Sequence, residues 1–122
     1  IKSLKQHGHF ERLSGAPRLE LLDPLPYVGF MNVVTGAKLV ITDSGGLQEE
    51  TTYLGIPCLT MRENTERPVT VSQGTSELVR ASTLWDHVDR ILEGAWKKGA
   101  CPPLWDGRTA ERAVESLRRR GK

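Results

Sequence analysis

Short apolar runs alternate with longer segments of helical periodicity along the chain. Apolar runs bounded by turn residues are typical of buried parallel strands. We predict four strands: Leu19–Asp23, Lys38–Thr42, Cys58–Met61 and Glu77–Val79. We predict helices at residues 2–13, Tyr27–Thr35, Gly45–Leu54, Thr83–Lys97 and Ala110–Arg119. This alternation predicts an α/β fold with a parallel sheet of about four strands and flanking helices.

Length and composition limit the classes of function. With 122 residues and a net charge of +2, the chain has room for a single domain, residues 1–122. Two cysteines without CxxC spacing and three scattered histidines predict neither a disulfide scaffold nor a metal site, and we expect no cofactor. No run of about 18 apolar residues occurs. We therefore expect a cytoplasmic protein that does not bind a membrane.

The two ends of the chain have distinct features. The chain starts without Met, inside a helical pattern, and we expect a fragment of a longer protein. Residues 108–122 carry a local charge of +4. Because no aromatic residues lie among these charges, and cations commonly end a terminal helix, we do not expect binding to nucleic acid.

A glycine turn follows the second predicted strand, in the sequence TDSGGLQEE. Ser44, Gly45 and Gly46 lie where a strand passes into a helix, so an anion can approach the backbone and the unpaired first-turn amides. This pattern predicts a phosphate site. The alternative is a capped helix start in which the glycines only make the turn.

Acidic and basic side chains extend this candidate site. Glu50 lies four residues after Gly46, about 6 Å along a helix, which suits a ribose next to a phosphate. A helix-dipole role would also explain a glutamate here. Arg62 and Arg67 follow the third predicted strand, and guanidinium groups suit phosphate oxygens. A surface ion-pair loop is the alternative.

Three unrelated motifs are excluded. Asp43-Ser44-Gly45-Gly46 is similar to the nucleophile loop of trypsin-like proteases, but those enzymes are β-barrels of nearly twice this length. The G-x-S-x-G elbow of α/β hydrolases and the G-x-G-x-x-G of dinucleotide folds are absent from the sequence. We therefore do not assign Ser44 as a nucleophile.

Residues 42–79, TDSGGLQEETTYLGIPCLTMRENTERPVTVSQGTSELV, resemble the signature of the non-hydrolysing UDP-N-acetylglucosamine 2-epimerases. The preceding LLDPLPYVGF is also similar to that family. The resemblance implies a Rossmann-like sheet in the C-terminal half of a GT-B-like fold. It also implies an incomplete UDP-binding domain that lacks its N-terminal partner domain, and a homodimer for the full-length protein.

The resemblance also implies a reaction and residue roles. Such enzymes interconvert UDP-GlcNAc and UDP-ManNAc by elimination and re-addition of UDP. The implied roles are diphosphate contacts for Ser44, Gly45 and Gly46, ribose contacts for Glu50, phosphate or sugar contacts for Arg67 and, with less support, Arg62, and uracil contacts for Phe30 and the backbone of Leu25. No catalytic group is carried over, because the family's catalytic acids and histidine have no counterpart in this sequence. We therefore do not assign the catalytic role to His7 or His9. A related GT-B glycosyltransferase and a stand-alone nucleotide-binding module remain the alternatives.

Overall fold

A computed structural model describes residues 1–121. The helices are α1 Lys2–Gln6, α2 Phe10–Ser14, α3 Tyr27–Thr35, α4 Gly45–Leu54, α5 Pro68–Ser72, α6 Leu84–Leu92 and α7 Thr109–Arg120. The strands are β1 Val40–Thr42, β2 Cys58–Thr60 and β3 Ser76–Leu78. The predicted α/β class is confirmed, and the predicted bounds of α3 and α4 agree with the structure.

The sheet has three strands rather than the predicted four. Residues 19–26, which include the predicted strand Leu19–Asp23, are neither helix nor strand. A strand requires backbone partners on a neighbouring strand, which an apolar run alone does not supply. Two helix predictions were also too long: Gly8, with φ of +70°, separates α1 from α2, and α6 ends at Leu92.

All strands are parallel, in the order β1-β2-β3. Thr42 of β1 lies beside Thr60 of β2, which in turn lies beside Leu78 of β3. The carboxyl ends of the three strands therefore meet at one edge of the sheet. The loops that leave this edge carry the glycine turn and the arginines.

The central strand β2 separates two kinds of interior. Leu59 packs with a hydrophobic cluster whose other buried members are Val79, Val88 and Ile91. Buried polar side chains occur on α4, on α5, and in and beside the strands: Gln48, Thr51, Thr52, Thr60, Thr70, Thr75 and Ser76. The protein thus combines an apolar cluster with an unusually polar second layer.

Helix α4 has sequence signals at both ends. Ser44 is its N-cap, and Gly55 follows its last turn with φ of +73°. Gly55 N donates to Thr52 O, and Ile56 N donates to Thr51 O at 2.9 Å. These bonds satisfy the last carbonyls of the helix, as in a Schellman motif. The helix that carries the glycine turn is therefore defined at both ends.

The chain divides into two compact units, one from Ile1 to Val33 and the other from Val34 onwards. The first unit contains α1, α2 and most of α3. The second contains the sheet and helices α4 to α7. None of the helices within residues 1–121 is both long and apolar enough to cross a membrane.

Candidate functional site

The glycine turn leaves two amides available to a ligand. Ser44 N donates to Thr42 Oγ1 at 3.0 Å, and Ser44 Oγ accepts from Leu47 N at 3.4 Å. The side chain of Ser44 therefore caps α4. Within the described residues, the amides of Gly45 and Gly46 make no hydrogen bond. They lie at the positive end of the helix dipole, where an anion binds favourably.

Arg67 lies beside this turn. A Cβ atom added to Gly45 would lie 4.0 Å from Arg67 Cγ and 3.5 Å from Glu66 Oε2. The guanidinium Nε of Arg67 is 3.0 Å from Glu49 Oε1, and both side chains are partly exposed. The structure thus brings Arg67 and the glycine turn together, as the shared sheet edge predicts.

Arg62 is already engaged by an acidic partner. Its two terminal nitrogens each donate to one carboxylate oxygen of Glu66 at 3.0 Å. The hydrogen bond from Arg62 lowers the pKa of Glu66, and the same bond raises the pKa of Arg62. Arg62 and Arg67 are therefore both ion-paired in this structure, and Arg67 also borders the glycine turn.

The tandem glutamates of α4 have different surroundings. Glu49 pairs with Arg67, as described above. Glu50 is half-buried and lies one helical turn after Gly46. The spacing that predicts a ribose contact is thus retained in the folded helix.

Leu25 and Phe30 belong to the first compact unit. Phe30 lies in α3 and its amide donates to Pro26 O at 2.9 Å, in the first turn of the helix. Leu25 and Phe30 are 40% and 38% exposed. Tyr27, at the start of α3, is 66% exposed. Leu25 and Phe30 therefore both present accessible surface.

Within the basic C-terminal segment, residues Thr109–Arg120 form helix α7. Ion pairs occupy several of its arginines: Arg108 with Glu111, Arg112 with Asp106, and Arg119 with Glu115. Across residues 1–121, no group of three or more His, Cys, Asp or Glu side chains is placed to hold a metal ion.

Sequence reasoning missed a set of buried polar residues behind the site. Gln48 of α4 is fully buried and accepts hydrogen bonds from Thr65 and Thr70. The sequence does contain a signal for them. Gln48, Thr51 and Thr52 have the i, i+3, i+4 spacing of one helix face, so the face of α4 that meets the sheet is polar.

Comparisons with known proteins agree on one family. Residues 3–118 match the model of the family described as UDP-N-acetylglucosamine 2-epimerase. A UDP-N-acetylglucosamine 2-epimerase from Methanocaldococcus jannaschii is 34% identical over 95% of this chain, and one from Yersinia pestis is 39% identical over 87%. The chain spans about a third of the length of these relatives.

Solved structures give the same result. The M. jannaschii UDP-GlcNAc 2-epimerase in complex with UDP-GlcNAc and UDP matches with a TM-score of 0.78 and 36% identity, covering 96% of this chain and 32% of that one. A co-structure of S. aureus MnaA and UDP matches with a TM-score of 0.79 and 28% identity, covering 93% of this chain and 32% of that one.

Proposed function

Because the chain belongs to the UDP-N-acetylglucosamine 2-epimerase family, we propose that it binds the UDP half of a UDP-sugar in a full-length protein that interconverts UDP-GlcNAc and UDP-ManNAc. One observation carries the proposal. The amides of Gly45 and Gly46, unbonded within residues 1–121, begin a ten-residue helix directly beside Arg67. Amide donors, a helix dipole and a guanidinium together favour a diphosphate.

The proposal gives each residue a chemical role. Gly45 and Gly46 donate amide hydrogen bonds to the diphosphate, and Ser44 fixes the turn and contacts the same group. Arg67 neutralises phosphate charge, and Arg62, which is paired with Glu66 in this structure, contacts the phosphate with less support. The carboxylate of Glu50 accepts from the ribose hydroxyls. Phe30 and the backbone of Leu25 contact the uracil.

This chain would act mainly on the leaving group. A base removes the proton from C2, and UDP departs with the electron pair of its bond to C1. A C1=C2 double bond forms. Re-addition of UDP at C1 and protonation of C2 from the opposite face complete the epimerisation. Positive groups around the diphosphate stabilise charge as UDP departs. We assign the base to a part of the full-length protein outside these 122 residues, in a preceding N-terminal domain.

Turnover in D₂O tests the proposal. The full-length protein, incubated with UDP-GlcNAc, is expected to form UDP-ManNAc that carries deuterium at C2. Transfer of the sugar to an acceptor without UDP-ManNAc would indicate a glycosyltransferase instead. Binding of UDP without any turnover would indicate a nucleotide-binding module.

The 122-residue chain alone is the matched control. Proton abstraction needs a positioned base, and we expect no deuterium at C2 above a no-protein blank. Incorporation by this chain would place the base within residues 1–122 and contradict the division of roles.

The proposal extends to the setting of the full-length protein. We infer a cytoplasmic homodimer in which this chain forms part of the C-terminal domain of a two-domain GT-B-like subunit. Cell fractionation and light scattering of the purified full-length protein test location and oligomeric state. A monomer, or a protein found in the membrane fraction, would contradict this extension.

A further inference from the structure

A buried amide lies directly behind the glycine turn. Gln48 is on α4, one turn after Ser44, and its side chain is 0% exposed. Its Oε1 atom accepts a hydrogen bond from Thr65 Oγ1 at 2.7 Å. It also lies 3.4 Å from Thr70 Oγ1, whose single proton is directed mainly at Arg67 O, so this second contact is the weaker branch of a shared hydrogen bond. Gln48 thus joins the helix of the glycine turn to residues 17 and 22 positions later.

Both threonines hold the backbone of Arg67. Arg67 N donates to Thr65 Oγ1 at 3.0 Å, so the hydroxyl proton of Thr65 is directed to Gln48. Arg67 O accepts from Thr70 N at 3.0 Å and from Thr70 Oγ1 at 2.8 Å. Thr65 therefore connects the amide of Arg67 to Gln48, and Thr70 connects the carbonyl of Arg67 to Gln48.

A second connection between Arg67 and α4 is much weaker. The Arg67–Glu49 ion pair is partly exposed, with side chains 47% and 39% accessible. Exposed ion pairs contribute little and are screened by salt. Hydrogen bonds to a buried amide are directional, and leaving one unmade is costly. The position of Arg67 therefore depends mainly on the connection through Thr65 and Thr70 to the buried amide of Gln48.

We propose that Gln48 is a positioning residue that fixes the backbone of Arg67 beside Gly45 and so preforms the arginine side of the diphosphate site. The inference rests on the proposed function, because it assigns Arg67 to the same ligand. Preformed donors lose less conformational freedom when a ligand binds, which raises affinity. Gln48 itself does not contact the ligand.

A double-mutant cycle on the full-length protein tests this role. Gln48→Met keeps the length of the side chain and removes the acceptor. We expect UDP affinity, measured by calorimetry, to fall about tenfold in Gln48→Met. In an Arg67→Ala background, the same substitution is expected to change affinity less than about twofold, because the positioned group is gone. Equal losses in the two backgrounds would overturn the proposal.

Thr65 supplies a conservative pair of variants. Thr65→Ser keeps the hydroxyl and is expected to retain the affinity for UDP, whereas Thr65→Val removes the hydroxyl and should behave like Gln48→Met. Thr52→Val is the matched control: Thr52 is buried on the same helix, and its hydroxyl has no hydrogen-bond partner within residues 1–121. A loss in Thr52→Val equal to that in Gln48→Met would indicate a general effect on α4 and overturn the proposal.

Amide hydrogen exchange without ligand separates this inference from the proposed function. We expect the Arg67 amide to exchange about tenfold faster in Gln48→Met and Thr65→Val, and unchanged in Thr52→Val. If the wild-type protein fails to bind UDP, the proposed function is wrong, and the exchange rates still report whether Gln48 holds Arg67. Thr65→Val removes the acceptor of the Arg67 amide itself and is the positive control for faster exchange. Unchanged exchange in Gln48→Met would overturn the positioning role.

Discussion

The Nε atom of Arg67 lies 3.0 Å from Oε1 of Glu49, so the arginine beside the glycine turn is neutralised by an acid of the helix that the turn begins. A diphosphate bound at Gly45 and Gly46 would compete with Glu49 for this guanidinium. Phosphate is the stronger partner, because it carries more charge and accepts bidentate bonds. Binding of the diphosphate is therefore expected to break the ion pair of Arg67 with Glu49 and to replace it with a contact from Arg67 to phosphate.

Arg67→Ala is expected to weaken UDP binding about tenfold or more at low salt, and less at high salt. The Debye length falls from about 30 Å at 0.01 M to about 3 Å at 1 M ionic strength, so salt screens the arginine–phosphate attraction. Calorimetric titration with UDP across this salt range measures the difference. Arg108→Ala, which removes an exposed arginine paired with Glu111, is the control and should leave affinity unchanged. Salt-independent loss in Arg67→Ala would indicate a structural arginine.

Replacing each of the tandem glutamates by the uncharged glutamine should change UDP affinity differently. Glu50→Gln is expected to weaken UDP binding by about 1–3 kcal/mol, the scale of a hydrogen bond to a charged group. Glu49→Gln releases Arg67 from its ion pair and should leave the affinity equal or slightly higher. Titration of both variants with UDP measures the contrast. Equal losses would contradict a specific ribose contact for Glu50.

Gly74→Ala is expected to destabilise the fold more than Gly55→Ala. A Cβ atom on Gly74 would lie 2.5 Å from Thr52 Cγ2 and 2.6 Å from Thr70 O, whereas one on Gly55 meets nothing within 4 Å. Overpacking costs up to about 3 kcal/mol, while the positive φ of Gly55 costs an alanine about 1 kcal/mol. Urea unfolding followed by tryptophan fluorescence measures both variants. A Gly55→Ala loss as large as that of Gly74→Ala would contradict this ranking.

Asp106 should make the start of α7 sensitive to acid. The backbone amide of Arg108 and the guanidinium of Arg112 lower the pKa of Asp106 from its usual 3.8. The ionised carboxylate thus stabilises the folded state above pH 3.8, and this contribution is lost as the pH falls through the lower folded-state pKa. Asp106→Asn is therefore expected to be less stable than wild type at pH 6, and the difference should shrink as the pH falls below 3.8. A difference that stays constant as the pH falls below 3.8 would exclude the charge as its cause.

The sequence predicted most of the elements around the site. Short apolar runs bounded by turns located the three strands, and Ser44 and Gly55 marked the ends of α4, because parallel strands and helix caps have strong local signals. Leu19–Asp23 has the same local signal but pairs with no strand among the described residues. Pairing depends on a distant partner, which local patterns do not contain.

The sequence predicted the residues at the surface of the candidate site but not the buried residues that support them. The glycine turn and Arg67 were located because residues that follow neighbouring parallel strands meet at one sheet edge. The contacts of Gln48 were not predicted, because Thr65 and Thr70 lie 17 and 22 residues later in the chain, and local sequence patterns do not contain such long-range contacts. Helix α5 was also missed. It was not among the predicted helices, although its first residue is Pro68 and proline is well suited to the first turn of a helix.

The two interiors beside β2 should differ in how freely mutation can change them. Around Leu59, Val88 and Ile91, side chains need only fill space, and exchanges among Leu, Ile and Met of similar volume cost less than about 1.5 kcal/mol. Around Gln48 and Thr70, a replacement must also reproduce a donor or acceptor at a fixed point. In a library of random variants, surviving sequences should therefore vary among apolar residues around Leu59 and stay almost constant at the hydrogen-bonded positions Gln48 and Thr70, whereas Thr52, whose hydroxyl has no partner within residues 1–121, should tolerate Val.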